Sequence, residues 1–432
     1  MRQLYGDVRD VRGMPRTCYY TYTLIIQWSI AMTDQPVRGS VPLWRTPEAL
    51  ILIIAQFFLS IRDMPIGAFT LVYLQGQGYS TTLISQMAST AQIAGMITAM
   101  VTGSIAQRIG NKWVWVAGIA LAALNCLVFQ SVGVWWIAGW WVIGGIGMAL
   151  AGIGSASILT YIGGKTQIGV LSSLYILCFT VGGVIGNPLL GWVIAHYDYR
   201  ILSVVALAMS AVGICIVLFG IPHAAPTKSH DPNINQFDWQ FIRTPQVPLI
   251  MGMRGLATVN YGMLTVLIPL LLNQTAKDIY LVASYASTML VVASLAQFLA
   301  GRAADAWGAL WPSIISFVIM VCCGVVLCWG THSIPLLFIF GIISNAAAWA
   351  LSSLMYLWVA DFVVPSRHPL LLGWLHATWS ICMVVGSLLG GWLIVYYQGL
   401  PFLMTGLLCL VPIWFTWKLY RGNTISTIKI PV

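Results

Sequence analysis

Ionisable side chains inside long apolar segments are the residues of this sequence that are best suited to chemistry. Asp63 is the single acidic residue, out of 11, that lies well inside such a segment, and Arg62 precedes it. Arg254 and His376 lie in apolar segments of the second half. Because a charge is costly in an apolar medium, such side chains usually bind an ion or a charged ligand. We therefore predict that Asp63 takes up a proton; the alternative is a structural ion pair that joins its helix to a neighbour.

The two arginines extend this prediction to a ligand. A guanidinium group binds a carboxylate through two parallel hydrogen bonds. Arg62 and Arg254, set against one aspartate, favour an anionic or zwitterionic ligand. In an alternative interpretation, the Arg254 side chain extends to a membrane surface. His376 could relay protons, since imidazole titrates near neutral pH, but a lone histidine in an apolar helix is more often a hydrogen-bonding packing residue.

Aromatic residues deep in the apolar segments could complete a binding pocket, in a chain that contains 20 tryptophans. An aromatic-lined pocket would suit an amphipathic or ring-containing ligand. The alternative is that these side chains face lipid. The candidate lining residues are Trp141, Tyr261, Trp349 and Trp379.

The elements that must position these residues are membrane-spanning helices. Of the 432 residues, 59% are hydrophobic and 7% are charged, and the mean hydropathy is +0.87. Soluble domains contain about 25% charged residues, whereas one transmembrane helix needs about 20 apolar residues. Transmembrane strands would instead alternate in segments of about ten residues. The composition excludes a soluble enzyme, a disordered chain and a disulfide scaffold, and it predicts an all-α membrane protein.

Twelve apolar spans are arranged as six, a polar linker and six. Arg200 and Lys277 are the only basic residues in the predicted outer loops, although the chain has 20 lysines and arginines. Because basic residues concentrate on the cytoplasmic side, both termini and the linker are predicted to be cytoplasmic, in the inner or plasma membrane. The predicted organisation is an N-terminal segment (1–46), a first bundle (47–221), the linker (222–246), a second bundle (247–420) and a tail (421–432). The spans are 48–74, 81–106, 112–131, 134–161, 167–195, 201–221, 247–272, 280–303, 311–330, 334–360, 369–396 and 401–419.

Sequence patterns for a nucleotide, metal or haem site do not occur. The chain lacks GxxxxGK[ST], its nine cysteines form no metal-ligand spacing with histidines, and its basic residues form no block of the kind that binds nucleic acid. We therefore predict no cofactor, no nucleic-acid partner and no enzymatic activity. The predicted partners are membrane lipid, a proton and a small solute, and the predicted state is a monomer. A 15-residue apolar run at 18–32 is too short to span comfortably, and we predict no function for it.

The two halves of the chain repeat each other at an offset of about 200 residues. GSIAQRIGNK at 103–112 corresponds to GRAADAWG at 301–308, and GNPLLGW at 186–192 corresponds to GSLLGGW at 386–392. Shared order at a fixed offset indicates an internal repeat. From about residue 48 onward, these motifs resemble the major facilitator superfamily of membrane transporters. The resemblance implies twelve transmembrane helices in two pseudo-symmetric six-helix bundles, with helices 1, 4, 7 and 10 around a central cavity.

In that family, the loop after the second helix follows the pattern GxxxDRxGR[RK] and controls the side to which the cavity opens. Gln107 replaces the acid in the first copy of the motif, and Ala306 replaces the arginine in the second. A hydrogen bond from Gln107 would be weaker than a charge-assisted one. The residues for which the resemblance implies a gating role are Gly103, Gln107, Arg108, Gly110, Lys112, Gly301, Asp305 and Gly308.

The fifth span resembles the family's antiporter motif, GxxxGPxxGG. Asn187 and Trp192 replace two of its glycines. Glycines at this spacing let helices approach closely, and proline permits a bend. The motif favours export, and the alternative is that it serves helix packing alone. The residues predicted to pack helices are Gly183, Gly186, Asn187, Pro188, Gly191, Gly386, Gly390 and Gly391.

These features predict a secondary transporter that exports a small amphipathic organic solute in exchange for protons, by alternating access around a site near the membrane midplane. The alternative is proton-coupled uptake of an organic anion or of a metal chelate such as a siderophore, which the two arginines favour. A membrane sensor without transport activity is a third possibility. The short linker and tail argue against the sensor.

Overall fold

The computed structural model describes residues 46–221, 242–363 and 368–426, and over these residues it contains helices and no strands. Eleven helical spans in this part of the chain are long and apolar enough to cross a membrane. The helix Thr81–Ile109 has the length as well, but it is rich in serine, threonine and glutamine. The prediction of an all-α protein with twelve helices in two bundles is confirmed. In chain order the helices are α1 (Pro47–Gly76), α2 (Thr81–Ile109), α3 (Asn111–Gln130), α4 (Val134–Leu159), α5 (Leu174–His196), α6 (Tyr199–Gly220), α7 (Gln246–Ala276), α8 (Ile279–Trp307), α9 (Leu310–Gly330), α10 (Ile334–Phe362), α11 (His368–Leu393) and α12 (Leu400–Arg421).

Three of the predicted segments fall wholly or partly outside the described residues. They are the N-terminal segment up to residue 45, the linker at 222–241 and the last six residues of the tail. The start of the tail is described, and it is helical as far as Ser426, beyond the predicted end of the last span.

The chain reverses direction between α4 and α5, although helical backbone geometry continues from Val134 to His196. The hydroxyl oxygens of Ser155 and Tyr175 lie 2.8 Å apart. In a straight helix, residues 20 positions apart would be separated by about 30 Å. The two spans are therefore antiparallel neighbours, in agreement with the separate spans predicted from the sequence.

Polar residues begin several helices and glycines end them. The side chains of Asp198 and Asp278 accept hydrogen bonds, both of 2.8 Å, from the first turns of α6 and α8, a common way to satisfy free N–H groups at a helix start. Gly110 and Gly308 end α2 and α8 with φ angles of 88° and 76°. Because φ is positive at both positions, glycine is favoured there.

The two halves share a hydrophobic core at one end of the molecule only. We call the end at which α1 begins and α6 ends the linker side, and the opposite end the far side. On the linker side, one core surrounds Trp115 in the first half and another surrounds Trp358 in the second. On the far side, two cores contain residues of both halves: one includes Leu74 and Leu267, and a smaller one includes Phe69 and Ala283. The halves are therefore joined on the far side.

Hydrogen bonds between the halves also lie on the far side. Asn273 Nδ2 donates to Gln75 Oε1 at 2.7 Å, between α7 and α1. The hydroxyl oxygens of Ser89 and Ser387 lie 2.6 Å apart, between α2 and α11. Further contacts are Gln75 Nε2 to the Leu270 carbonyl at 3.1 Å, Thr82 Oγ1 to the Gly391 carbonyl at 2.6 Å, and Tyr280 with His196 at 3.3 Å.

Pro188 leaves a backbone carbonyl free to accept one more hydrogen bond between the halves. Proline has no N–H group, so the carbonyl four residues earlier in a helix lacks its usual donor. In α5 this is the carbonyl of Val184, and Ser287 Oγ of α8 donates to it at 3.0 Å. The proline of the antiporter-like motif thus acts at the contact between the halves.

Glycines bring α5 against α1, and α11 against α7, at positions that correspond in the internal repeat. A Cβ atom at Gly186 would overlap the carbonyl of Ile61, and a Cβ atom at Gly386 would overlap the carbonyl of Val259. The remaining predicted packing glycines also lie at helix contacts: Gly183 beside Met64 and Leu290, Gly191 beside Ala283, Gly390 beside Met263, and Gly391 beside Ser85. Asn187 is buried, and its Nδ2 donates to the Gly183 carbonyl of its own helix at 2.9 Å.

Candidate functional site

A cavity of about 790 Å³ lies between the two halves. Its wall follows α2 from Ala91 to Ala99 and α4 from Trp141 to Ser157, so the cavity extends from the middle of the bundle toward the linker side. Two smaller spaces share lining residues with it. We call them the first-half chamber, of about 190 Å³, and the second-half chamber, of about 300 Å³.

Arg62 and Asp63 line both the central cavity and the first-half chamber. Arg62 Nη2 lies 2.7 Å from Asp63 Oδ1, and the two side chains are 2% and 16% exposed. This contact lies within α1 and does not join α1 to a neighbouring helix. It is not aligned as a hydrogen bond, and neither Arg62 Nε nor Asp63 Oδ1 has a hydrogen-bond partner. The pair therefore retains unused hydrogen-bonding capacity beside the cavity wall.

The second-half chamber brings together five of the predicted site residues from three helices. Its lining includes Arg254 and Tyr261 of α7, Trp349 of α10, and His376 and Trp379 of α11. The His376 and Trp379 rings are stacked, with centroids 5.6 Å apart and planes 23° apart, and both residues also line the central cavity. Arg254 therefore lines a chamber that adjoins the central cavity, which favours its interpretation as a ligand-binding residue.

Trp141 of α4 lines the central cavity and is largely buried. Of the four aromatic residues predicted to line a pocket, Trp141 is the one that belongs to the first half. The predicted aromatic residues that line the central cavity thus come from both halves, Trp141 from the first and Trp379 from the second.

Some lining residues could not be singled out from the sequence. Ser155 and Tyr175 line the first-half chamber together with Trp115. Serine, tyrosine and tryptophan are common in apolar spans, so their types carry no signal. An amide side chain inside a span is a partial signal for a cavity-lining position. Four such residues line the cavity or a chamber: Gln56, Gln92, Asn125 and Gln297. Three others are buried in the packed bundle: Asn187, Asn260 and Asn345.

The segments predicted to control gating lie on the linker side, at the ends of α2 and α8. Lys112 Nζ donates to the carbonyls of Leu218 and Ile221 at 2.7 and 2.6 Å. These are free carbonyls at the C-terminal end of α6, which a lysine can cap. Lys112 thus bonds within the first half in this state.

The other gating residues also show no contact that would hold the halves together here. Arg108 and Asp305 are exposed, and a Cβ atom at Gly103 or Gly301 would meet no atom within 4 Å. The side chain of Gln107 lies outside the described residues. Their gating role stays a prediction that concerns the opposite conformational state.

The fold and the cavity define a class of protein. Among the described residues, no three histidine, cysteine, aspartate or glutamate side chains are grouped so that they could hold a metal ion. What is present is a pair of helical bundles, joined on one side, around a largely apolar cavity with a few polar and charged lining residues that extends toward the other side. This is the architecture of a secondary transporter in a membrane.

Comparisons with known proteins identify the family. The Major Facilitator Superfamily pattern matches residues 50–290 and 250–427, and the chain belongs to this superfamily. The uncharacterized MFS-type transporter YcaD of Escherichia coli K12 is 23% identical over 351 residues, which cover 80% of this chain and 87% of YcaD.

Two solved structures share the fold. A mutant of the nucleoside transporter NupG superimposes with a TM-score of 0.73 at 13% identity, over 86% of this chain and 99% of NupG. A bacterial homolog of the human lysosomal transporter Spinster, in an inward-facing and occupied conformation, superimposes with a TM-score of 0.68 at 16% identity, over 89% of this chain and 98% of the homolog. At these identities, the likeness concerns the fold alone.

Proposed function

We propose that the protein carries a small amphipathic organic anion into the cell together with protons. The observation that carries this proposal is the charge of the cavity walls. Across the central cavity and its two chambers, the charged lining residues among those described are Arg62, Arg254 and Asp63. Two cations against one titratable anion favour a negatively charged solute.

The charge of Asp63 sets the sign of the coupling. While the carboxylate is charged, it compensates Arg62, from which it is separated by 2.7 Å. When Asp63 takes up a proton, Arg62 loses its counter-charge and the cavity becomes more positive. A solute anion then binds more strongly, and by reciprocity the proton binds more strongly when the anion is present.

This reciprocity favours cotransport over exchange. Two ligands that strengthen each other's binding cross the membrane together, and an inward proton gradient would then drive uptake. A cationic solute would instead compete with the proton, which is the requirement for exchange. The arrangement of charges therefore supports the uptake alternative of the sequence analysis over export.

The present conformation fits the release step of such a cycle. With the linker in the cytoplasm, as the distribution of basic residues predicts, the cavity would extend toward the cytoplasm and the closed far side would face outward. A solute would leave the carrier in this state once Asp63 gives up its proton to the cytoplasm.

Proton-coupled export of an amphipathic solute is the second candidate. It is favoured by the antiporter-like motif of α5, in which Gly183, Pro188 and Gly191 match the family pattern. Pro188 influences the contact between the halves through the Val184 carbonyl, and that influence is compatible with either direction of transport.

Transport by proteoliposomes distinguishes the two candidates. Vesicles with an acidic exterior are tested with three radiolabelled anions, phthalate, hippurate and ferric citrate, and with the cation ethidium, against protein-free vesicles. We expect the pH gradient to drive accumulation of at least one anion. Asp63→Asn should retain exchange of that anion at equal concentrations but should lose its response to the gradient.

Asp361→Asn is the matched control, because Asp361 is an exposed carboxylate that does not line the cavity or its chambers. It should behave as the unsubstituted protein does. Gradient-driven movement of ethidium in exchange for protons, with no movement of any anion, would establish export and contradict uptake.

A further inference from the structure

We propose that the second-half chamber is the solute-binding site and that its ligand is a small aromatic carboxylate. The carboxylate binds at Arg254 and the ring lies against the aromatic wall. This inference rests on the proposed function in that it names the chemical class of the transported anion and the subsite that holds it.

The charge of the chamber is the first argument. Arg254 is the only permanently charged residue among those that line it, and no ion pair of Arg254 occurs in the described residues. Tyr261 and Tyr356 lie near the guanidinium group, but phenols are neutral at physiological pH and cannot balance its charge. Because a partly buried, unpaired cation is costly, an anionic ligand would lower the free energy of this state.

Arg254 is better placed than Arg62 to bind that anion. Arg62 already has Asp63 as its counter-ion at 2.7 Å and is only 2% exposed. An anion at Arg62 would have to displace the carboxylate or wait for its protonation. At Arg254 it meets a guanidinium that is available in both protonation states of Asp63.

The walls of the chamber select a planar apolar body. The stacked rings of His376 and Trp379 form one wall, and Tyr261 and Trp349 also line the chamber. Aromatic rings prefer offset-stacked or edge-to-face contacts with one another, and such pairs add to the burial of apolar area. An aliphatic acid would forgo these contacts.

The volume and the polar groups limit the ligand to a small acid. About 300 Å³ is at the lower end of the range for ligand pockets, which suits one or two rings. Thr258 Oγ1 and Gln297 Nε2 already donate to the carbonyls of Arg254 and Trp349, at 2.7 and 3.2 Å. The guanidinium of Arg254 therefore remains the strongest group in the chamber for binding an anion.

Binding to the purified full-length protein in detergent tests the inference without transport. Tryptophan fluorescence and calorimetry are used to compare benzoate and indole-3-acetate with their neutral counterparts, benzamide and indole-3-acetamide. We expect the acids to bind at least tenfold more tightly than the amides. Arg254→Gln should remove this preference for the acids and leave the affinity for the amides nearly unchanged.

Arg254→Lys separates the loss of charge from a general loss of structure. It keeps a cation without the forked guanidinium, so a reduced preference for the acids should remain. Trp379→Leu should weaken binding of acids and amides alike, because it removes the ring contact. Thermal unfolding of each variant shows whether it is folded.

Two results would overturn the inference. One is equal binding of acids and amides by the unsubstituted protein, which requires no variant to observe. The other is a preference for acids that survives Arg254→Gln but disappears in Arg62→Gln, which would place the anion in the first half. Failure of the proposed function is distinguishable, because loss of pH-driven accumulation would leave these binding results unaffected.

Discussion

Arg62 is nearly inaccessible to solvent, and among the described residues its one charged partner is the next residue in the chain. A buried ion pair contributes little net stability, but loss of one member leaves an unbalanced charge that typically costs about 3–5 kcal/mol. Uptake of a proton by Asp63 would likewise leave the charge of Arg62 without its counter-ion. The side chains proposed to couple protons to the solute are therefore also sensitive points for the stability of the bundle.

We expect Arg62→Gln to lower the unfolding temperature of the protein in detergent, because the Asp63 carboxylate then lies in the bundle without a nearby positive charge. The loss should be larger at pH 8 than at pH 5, since protonation of the carboxyl group removes the unbalanced charge. Adding Asp63→Asn to this variant should restore most of the loss at pH 8. If the double variant unfolds as early as the single one, pairing does not explain the burial of Arg62.

Charge scarcity explains which parts of the candidate site could be predicted from the sequence. Arg62, Asp63 and Arg254 are noticeable because ionised groups are rare in apolar spans, and all three line the cavity or its chambers. The contact between Ser155 and Tyr175 could not be predicted, because it depends on how tightly α4 and α5 pack and neither residue type is unusual in a span.

At the scale of the helices, two glycines determine how closely neighbouring backbones approach. Gly186 faces the carbonyl of Ile61, one residue before Arg62, and Gly386 faces the carbonyl of Val259 at the corresponding place in the second half. The Ile61 carbonyl also lacks its helical donor, because Pro65 follows four residues later. The close contact between α5 and α1 therefore lies next to the ion pair of Arg62 and Asp63.

We expect Gly186→Ala to destabilise the protein by about 1–3 kcal/mol, the usual cost of overpacking, because the added methyl group would overlap the Ile61 carbonyl. Gly139→Ala is the control, since a Cβ atom there meets nothing within 4 Å. It should be neutral or stabilising by up to about 1 kcal/mol, because alanine favours helices. Equal unfolding temperatures for the two variants would contradict close packing at Gly186.

The bounds of most helices agree with the spans predicted from hydropathy to within a few residues. Three details of the helices do not follow from hydropathy. The last turns of α3 are a 3₁₀ helix, Asn125–Gln130, which the apolar pattern does not distinguish from an α-helix. Helical backbone geometry also continues through the reversal between α4 and α5, where the apolar pattern predicts two separate spans. α2 is more polar than the other spans, and its serines and threonines are satisfied by hydrogen bonds to a neighbouring helix and to their own backbone.

At the scale of the whole molecule, α2 and α11 hold the far side closed. The Ser89 and Ser387 hydroxyl oxygens are 2.6 Å apart, and a Cβ atom at Gly391 would overlap Ser85. Alternating access requires these contacts to separate when the far side opens.

We expect the pair Ser89→Cys and Ser387→Cys to form a disulfide under mild oxidation, since the two side chains already meet. Transport should then stop and should return when the bond is reduced. Binding of benzoate should persist in the oxidised protein, because the cavity extends toward the opposite side. Each single cysteine variant is the control, and unimpaired transport by the cross-linked protein would show that this contact does not separate.

Among the described residues, the hydrogen bonds between the halves on the far side are made by amides, hydroxyls and backbone carbonyls, and only the Tyr280–His196 contact includes a histidine. Uncharged bonds of this kind are little affected by ionic strength or by the electrical potential across a bilayer. Voltage would then bias the transport cycle mainly through the occupant of the cavity and the charges around it. Such a carrier would keep its far side sealed at high and at low salt concentration alike.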